Sequence, residues 1–165
     1  MSLGWAHGLI ALVAVARLLE LAWAGRNARA LIVRGGRESG ARHYPLFVLL
    51  HGGWLVALFL ATAPDPPPRW ALLVAFLLLQ VLRVWVIATL GPFWTTRIIT
   101  LADAAPVTAG PYRHLRHPNY LIVALEVPVL PLALGLPWIT AVFGAVNALL
   151  LLYRIGVEDE ARRAI

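Results

Sequence analysis

The chain has 165 residues, of which 61% are hydrophobic and 13% are charged, and its formal net charge is +6. Ordinary soluble domains have roughly 45–50% apolar and about 25% charged residues, and a domain this short leaves much of its surface exposed. The composition therefore excludes a conventional soluble domain and indicates a protein embedded in a lipid bilayer. The sequence contains no cysteine, which excludes disulfides and thiolate metal sites, and we expect no metal.

Five apolar runs follow one another and predict an all-α, polytopic membrane helix bundle with about five transmembrane helices. They cover residues 3–23, 46–63, 70–90, 120–134 and 138–153. Roughly 20 residues cross a hydrocarbon core of about 30 Å, so the first and third runs are long enough unaided. The fourth contains Pro128 and Pro131, which a spanning helix tolerates where its neighbours satisfy the freed carbonyls. We predict a single membrane-embedded domain over residues 1–165.

The connections between these runs alternate between basic and nearly neutral. The first carries five arginines against one glutamate, and the third carries three arginines, whereas the connection at 64–69 has one arginine and one aspartate. Because basic loops stay in the cytoplasm, the pattern predicts a protein of the cytoplasmic membrane with its C-terminus inside. The arginines form no stripe on one soluble face, so we expect lipid headgroups rather than nucleic acid as their partners.

Four ionisable residues fall inside the apolar runs, where charges are costly and usually mark a buried pair or a function. Arg17 and Glu20 lie one turn apart in the first run and can pair there. Arg83 and Glu126 are each alone in the third and fourth runs. Two interpretations of Arg83 remain open: it reaches the headgroups, or it pairs with Glu126.

The signature loop, residues 91–119, mixes apolar and polar residues and is a candidate binding segment. Residues 98–101 are either a short strand or an interfacial segment. The stretch GPYRHLRHPNY, from Gly110 to Tyr120, resembles the pattern G-x-Y-x-x-x-R-H-P-x-Y of the isoprenylcysteine carboxyl methyltransferase family. A second family element, an arginine followed after three residues by a carboxylate pair, begins at Arg154. The resemblance covers about residues 70–160. The flanking stretches FWTTRIITL and HPNYLIVALE are similar to bacterial relatives that O-methylate alkylpyrones or alkylresorcinols.

The resemblance implies a membrane methyltransferase that binds S-adenosylmethionine between a cytoplasmic loop and the C-terminal helix. The residues implied to line the cofactor are Val107, Tyr112, His117, Pro118, Asn119, Tyr120 and Glu158. Arg154 matches the family's substrate-binding arginine and is the expected catalytic residue, and Trp94 is expected to contact substrate. No G-x-G-x-x-G turn is present, so we do not expect a Rossmann cofactor site.

We therefore predict an S-adenosylmethionine-dependent O-methyltransferase that acts at the membrane on a lipophilic acceptor. Candidate acceptors are an alkylpyrone enol, an alkylresorcinol phenol or a prenylated carboxylate, and the sequence leaves the choice and the oligomeric state open. The alternatives are a phospholipid or amine N-methyltransferase, a membrane reductase, and a non-catalytic binding protein of the same fold. Arg154 and Glu158, four residues apart, share one helix face. That arrangement also suits a solvated surface pair.

Overall fold

A computed structural model describes residues 3–102 and 104–163, and this part of the chain forms five α-helices. They are α1 (Trp5–Val33), α2 (Tyr44–Ala61), α3 (Trp70–Leu90), α4 (Pro118–Ala133) and α5 (Pro137–Arg163). Four of them, all except α4, are long and apolar enough to cross a membrane. Helix α4 has 16 residues, which at about 1.5 Å per residue span about 24 Å. The predicted all-α membrane bundle is confirmed, with one helix shorter than the hydrocarbon core.

Two helices extend well beyond the apolar runs that predicted them. Helix α1 continues ten residues past the predicted end at 23 and reaches Val33, so Arg26 and Arg29 are helical rather than in a loop. Helix α5 continues from 153 to Arg163. Hydropathy locates the part of a helix that meets lipid, but Ala, Leu, Arg and Glu continue a helix equally well in water. The apolar runs therefore mark only the apolar parts of these two helices and not their full lengths.

The connections at one end of the bundle pair as a small sheet. Strand β1 (Arg37–Ser39) pairs antiparallel with β2 (Ile98–Thr100), with Glu38 opposite Ile99. The last turns of α1, α3 and α5 and the first turns of α2 and α4 lie at this end, together with most of the arginines. We call it the basic end. The sheet confirms the possible strand at 98–101 and ties the first basic connection to the signature loop.

The apolar core runs through the middle of the bundle and fixes α4 between α3 and α5. Its largest fully buried side chains include Trp54, Leu58, Leu130 and Ile139. At the end opposite the sheet, Arg69 donates a hydrogen bond to the Leu132 carbonyl at 3.0 Å. This hydrogen bond holds the C-terminal end of α4, and the first turn of the helix lies at the basic end.

The ionisable residues inside the runs form one buried cluster that joins α1, α3 and α4. Arg83 contacts Glu126 at 2.7 Å and Glu20 at 2.9 Å. Arg17 contacts Glu20 at 3.0 Å and Glu126 at 3.4 Å, and its Nη2 donates to Gln80 at 2.8 Å. The two pairs that the sequence allowed, Arg17 with Glu20 and Arg83 with Glu126, are both formed, and Arg83 does not extend to the headgroups. Two arginines and two glutamates balance one another, which lowers the cost of placing charge within the bundle.

The predicted orientation can be tested by labelling single cysteines, because the natural chain has none. Arg37 lies at the basic end and Ala63 at the opposite end, and both are exposed. We expect a membrane-impermeant maleimide to label Ala63→Cys in intact cells and Arg37→Cys only after permeabilisation. Labelling of Arg37→Cys from outside intact cells would mean that the bundle is inserted the other way round.

Candidate functional site

Arg154 is the centre of the candidate site and is held on several sides. It lies on α5 and is only 7% exposed. Its Nε donates to the Tyr120 hydroxyl at 2.9 Å, and its Nη2 donates to the Thr96 carbonyl at 2.7 Å. The guanidinium also lies over the rings of Phe47 and Tyr120, at 5.1 and 5.6 Å. Within residues 3–102 and 104–163 its Nη1 makes no hydrogen bond, so a fixed donor is left for another acceptor.

Tyr120 connects Arg154 to a carboxylate. Its hydroxyl donates to Glu158 Oε2 and accepts from Arg154, so the three side chains form one hydrogen-bonded chain. The sequence His117-Pro118 begins α4: the proline takes the first helical position, where its missing N–H is not needed. The His117 carbonyl accepts from the Tyr120 amide at 3.1 Å. The motif therefore places Tyr120 in the first turn of α4, facing α5.

His117 stacks on Tyr120 and faces two carboxylates. The two rings are 5.3 Å apart with an interplanar angle of 13°. The imidazole nitrogens lie 3.9 Å from Glu158 and 3.7 Å from Asp159, beyond hydrogen-bond distance but within electrostatic reach. Asn119 Oδ1 and Asp159 Oδ1 are buried and accept no hydrogen bond from any described residue. Buried acceptors normally accept a hydrogen bond, so these two oxygens are available for the donors of a ligand.

Tyr112 lies behind this corner on a 3-10 turn, Gly110–Arg113. Burial raises its pKa to about 12, with a smaller contribution from the charge of Glu158. The phenol therefore stays protonated at physiological pH. The turn needs glycine at 110, because its φ of +53° is left-handed and a Cβ there would lie 2.6 Å from Thr89 Oγ1.

An apolar groove between α4 and α5 leads to this polar cluster. Its volume is about 380 Å³. His117 and Tyr120 lie at one end of the groove, and its walls are Leu121, Ala124, Ala148, Leu151, Leu152 and Ile155. Leu121 and Leu152 on its rim are exposed, on a face that meets lipid in a membrane. The groove is therefore open sideways and can take a long apolar group whose polar end reaches Tyr120.

The structure brings most of the predicted site residues together at the basic end, but not all of them. His117, Tyr120, Glu158 and Arg154 share the cluster, with Tyr112 behind it. Pro118 and Asn119 lie between His117 and Tyr120 in the first turn of α4. Val107 is half-buried upstream of the turn. Trp94 packs instead against Ala24 and Ile87, and its carbonyl accepts from Asn27 at 2.9 Å. Packing accounts for the burial of Trp94, and its proposed contact with substrate stays a prediction.

Three residues of the site were not singled out from the sequence. Asp159 belongs to the carboxylate pair that carries the motif, so its role could have been found there. Thr96 acts through its backbone carbonyl, for which no residue type is diagnostic. Phe47 falls in an apolar run, where the sequence does not distinguish a ring that packs beneath a guanidinium from a ring that faces lipid.

The motifs and this geometry agree with two comparisons with known proteins. The model of the isoprenylcysteine carboxyl methyltransferase (ICMT) family matches residues 71–163. The uncharacterized protein YpbQ of Bacillus subtilis (strain 168) is 34% identical over 157 residues, which are 93% of this chain and 94% of that protein. No solved structure matches the chain. Because the family model matches more than half of the sequence, the chain belongs to the isoprenylcysteine carboxyl methyltransferase family.

Proposed function

We propose that the protein is an S-adenosylmethionine-dependent O-methyltransferase that acts on a lipophilic acceptor delivered from the bilayer. Family membership implies a membrane methyltransferase. The observation that carries the finer proposal is the position of Arg154, a buried cation with one uncommitted donor beside Tyr120, where the apolar groove ends. This arrangement suits an acidic hydroxyl or carboxyl group attached to a long hydrocarbon chain.

Arg154 is suited to an acceptor that is already anionic. The Nη1 group can donate to an enolate or carboxylate oxygen, while Tyr120 and Thr96 fix the orientation of the guanidinium. Among the candidate acceptors, an alkylpyrone enol and a prenylated carboxylate are acids of this kind. A phenol, with a pKa near 10, needs a general base to ionise. A protonated amine would be repelled by the buried guanidinium, which disfavours N-methylation.

The carboxylate side of the cluster fits the cofactor. S-adenosylmethionine supplies an electrophilic methyl group when bound and carries two cationic groups and a ribose. Glu158 and Asp159 can hold the cations, and the buried Asn119 and Asp159 oxygens can accept from an ammonium or a hydroxyl. The groove walls exclude water from the acceptor side. Tyr120 lies between the two sides, so methyl donor and acceptor are held next to each other, and proximity and orientation supply most of the rate.

Cofactor binding is the first test of this assignment. We expect Tyr120→Phe and His117→Ala to weaken S-adenosylmethionine binding by roughly tenfold, because each removes a buried partner worth about 1–3 kcal/mol. Isothermal titration calorimetry on the purified protein measures the affinity. His114→Ala is the matched control, since His114 is exposed and should not change it. Unchanged affinity in His117→Ala, or binding of NADPH by the native protein, contradicts the assignment.

A further inference from the structure

A second cavity, of about 500 Å³, lies at the basic end between the last turns of α1 and the two strands. Part of its wall is apolar, formed by Ala28, Ile32, Val33 and Ile99, and the remaining side chains are charged: Arg29, Glu38 and Arg97. Ile32 and Val33 are 44% and 87% exposed. An apolar wall beside two guanidinium groups is the composition of a site for an amphiphilic anion.

The charge around this cavity is strongly unbalanced. Arg97 pairs with Glu38 at 3.1 Å. Arg29 makes no ion pair or side-chain hydrogen bond with any residue that the structure describes. The segments that form the walls contain five arginines against one glutamate: Arg26, Arg29, Arg34, Arg37 and Arg97, opposed by Glu38. A phosphodiester anion complements this excess, and guanidinium groups bind phosphate oxygens in a forked, bidentate geometry.

We propose that this cavity binds one anionic phospholipid. Its phosphate lies against Arg29 and Arg97, and the start of an acyl chain lies along Ile32 and Val33. A phospholipid fits better than free phosphate because half of the wall is apolar, exposed, and part of a helix that continues from a membrane span. The Glu38 carboxylate faces the same cavity. When the phosphate binds, Arg97 therefore replaces part of its contact with Glu38 by a contact with the phosphate.

A lipid bound in the cavity affects the candidate active site through Thr96. Arg97 follows Thr96, whose carbonyl fixes Arg154 Nη2 at 2.7 Å. The Arg97 guanidinium lies 5.0 Å from the centre of the Tyr44 ring, and the Tyr44 hydroxyl contacts Thr96 Oγ1 at 3.2 Å. A phosphate that holds Arg97 therefore also holds the segment that orients Arg154. This consequence rests on the proposed function, whereas the binding of the lipid does not.

Native mass spectrometry of the detergent-solubilised full chain tests the binding. We expect the protein to bind phosphatidylglycerol in clear preference to phosphatidylcholine. Arg29→Gln and Arg97→Gln should each weaken that binding about fivefold, the effect of one cation near an anionic lipid. The matched control is Arg163→Gln, which removes an exposed charge from the end of α5, outside the cavity. It should leave binding unchanged.

Three results would overturn the lipid site. Equal binding of the two lipids would remove the role of the phosphate charge, and an equal loss in Arg163→Gln would show diffuse attraction to the whole basic end. Competition by inorganic phosphate at the concentration of the lipid would show a site for free anions. Val33→Ser distinguishes a lipid site from a site for free anions, because it should weaken phosphatidylglycerol binding if the acyl chain contributes.

Turnover in vesicles tests the link to Arg154. Methyl transfer by the native protein should rise when phosphatidylglycerol is added to phosphatidylcholine vesicles. Arg29→Gln should lose that rise but keep the basal rate, since Arg29 does not touch the candidate active site. If Arg29→Gln loses lipid binding but keeps the rise, the link through Thr96 is wrong and the lipid site stands. If no variant or native protein turns over any acceptor, the failure lies with the proposed function.

Discussion

Replacing Arg154 with alanine should lower methyl transfer by roughly 10²–10³-fold, the usual cost of removing one preorganised donor. The affinity for S-adenosylmethionine should change little. The physical reason is that Arg154 is proposed to hold the acceptor, whereas the Tyr120 hydroxyl can still donate to Glu158 in its absence. Calorimetry for the cofactor, combined with a turnover assay that follows the labelled methyl group into extractable lipid, separates the two effects.

Arg154→Lys should restore only part of the lost rate. An ammonium keeps the positive charge but lacks the planar fork. The guanidinium uses Nε for Tyr120 and Nη2 for Thr96 and still has Nη1 for the acceptor. Lysine can place its single nitrogen at only one of these positions at a time. A complete rescue would mean that charge alone, without orientation, is what the site needs.

Arg162→Ala is the matched control on the same helix. Arg162 is exposed and pairs with Glu158 on the outer side of the cluster. Exposed i,i+4 pairs contribute about 0–1 kcal/mol, so this variant should change both assays slightly. Near-native turnover in Arg154→Ala would make Arg154 a structural residue and remove the support for the acceptor site. A parallel loss of cofactor affinity would show that Arg154 serves both ligands.

The sequence predicted the parts of the fold that depend on hydrophobicity alone. The third run coincides with α3 at 70–90, because this helix is apolar over almost its whole length. It did not predict the extension of α1 to Val33, since a helix that leaves the membrane loses its apolar signal but not its backbone hydrogen bonds. The partners of Arg83 also required the structure, because ion pairs across helices depend on rotation and tilt.

The candidate site, like the fold, could be predicted only in part from the sequence. His117 and Tyr120 are contiguous in a motif, and Arg154 and Glu158 lie one helical turn apart, so short spacing predicts that they share a surface. Their meeting across α4 and α5 depends on the tight turn at Gly135, whose φ is +79°. The contribution of Thr96 is invisible to sequence reasoning because any residue can offer a carbonyl. Trp94 was expected near the substrate on its loop position alone, and a loop position does not specify which face a side chain meets.

The buried ion cluster should contribute a large part of the stability of the bundle. Glu126 is 3% exposed, accepts from Arg83 Nη1 at 2.7 Å and lies 3.4 Å from Arg17. Glu126→Gln leaves two arginines facing the single carboxylate of Glu20. Removing one partner of a buried pair costs about 3–5 kcal/mol, because the remaining charge stays desolvated. Denaturant unfolding of the purified protein in detergent should show a loss of this size.

A compensating variant distinguishes lost pairing from a general packing defect. Arg83→Gln combined with Glu126→Gln restores charge balance, with one arginine and one glutamate left in the cluster. It should therefore be more stable than Glu126→Gln alone. Comparison of the double variant with the native protein and with both single variants, Arg83→Gln and Glu126→Gln, gives the coupling energy between the two residues. Glu160→Gln is the control, since Glu160 is exposed near the end of α5 and its loss should cost little. If the double variant is no more stable than Glu126→Gln, shape rather than charge holds α1, α3 and α4 together at this level, and the ion pairs only accompany the packing.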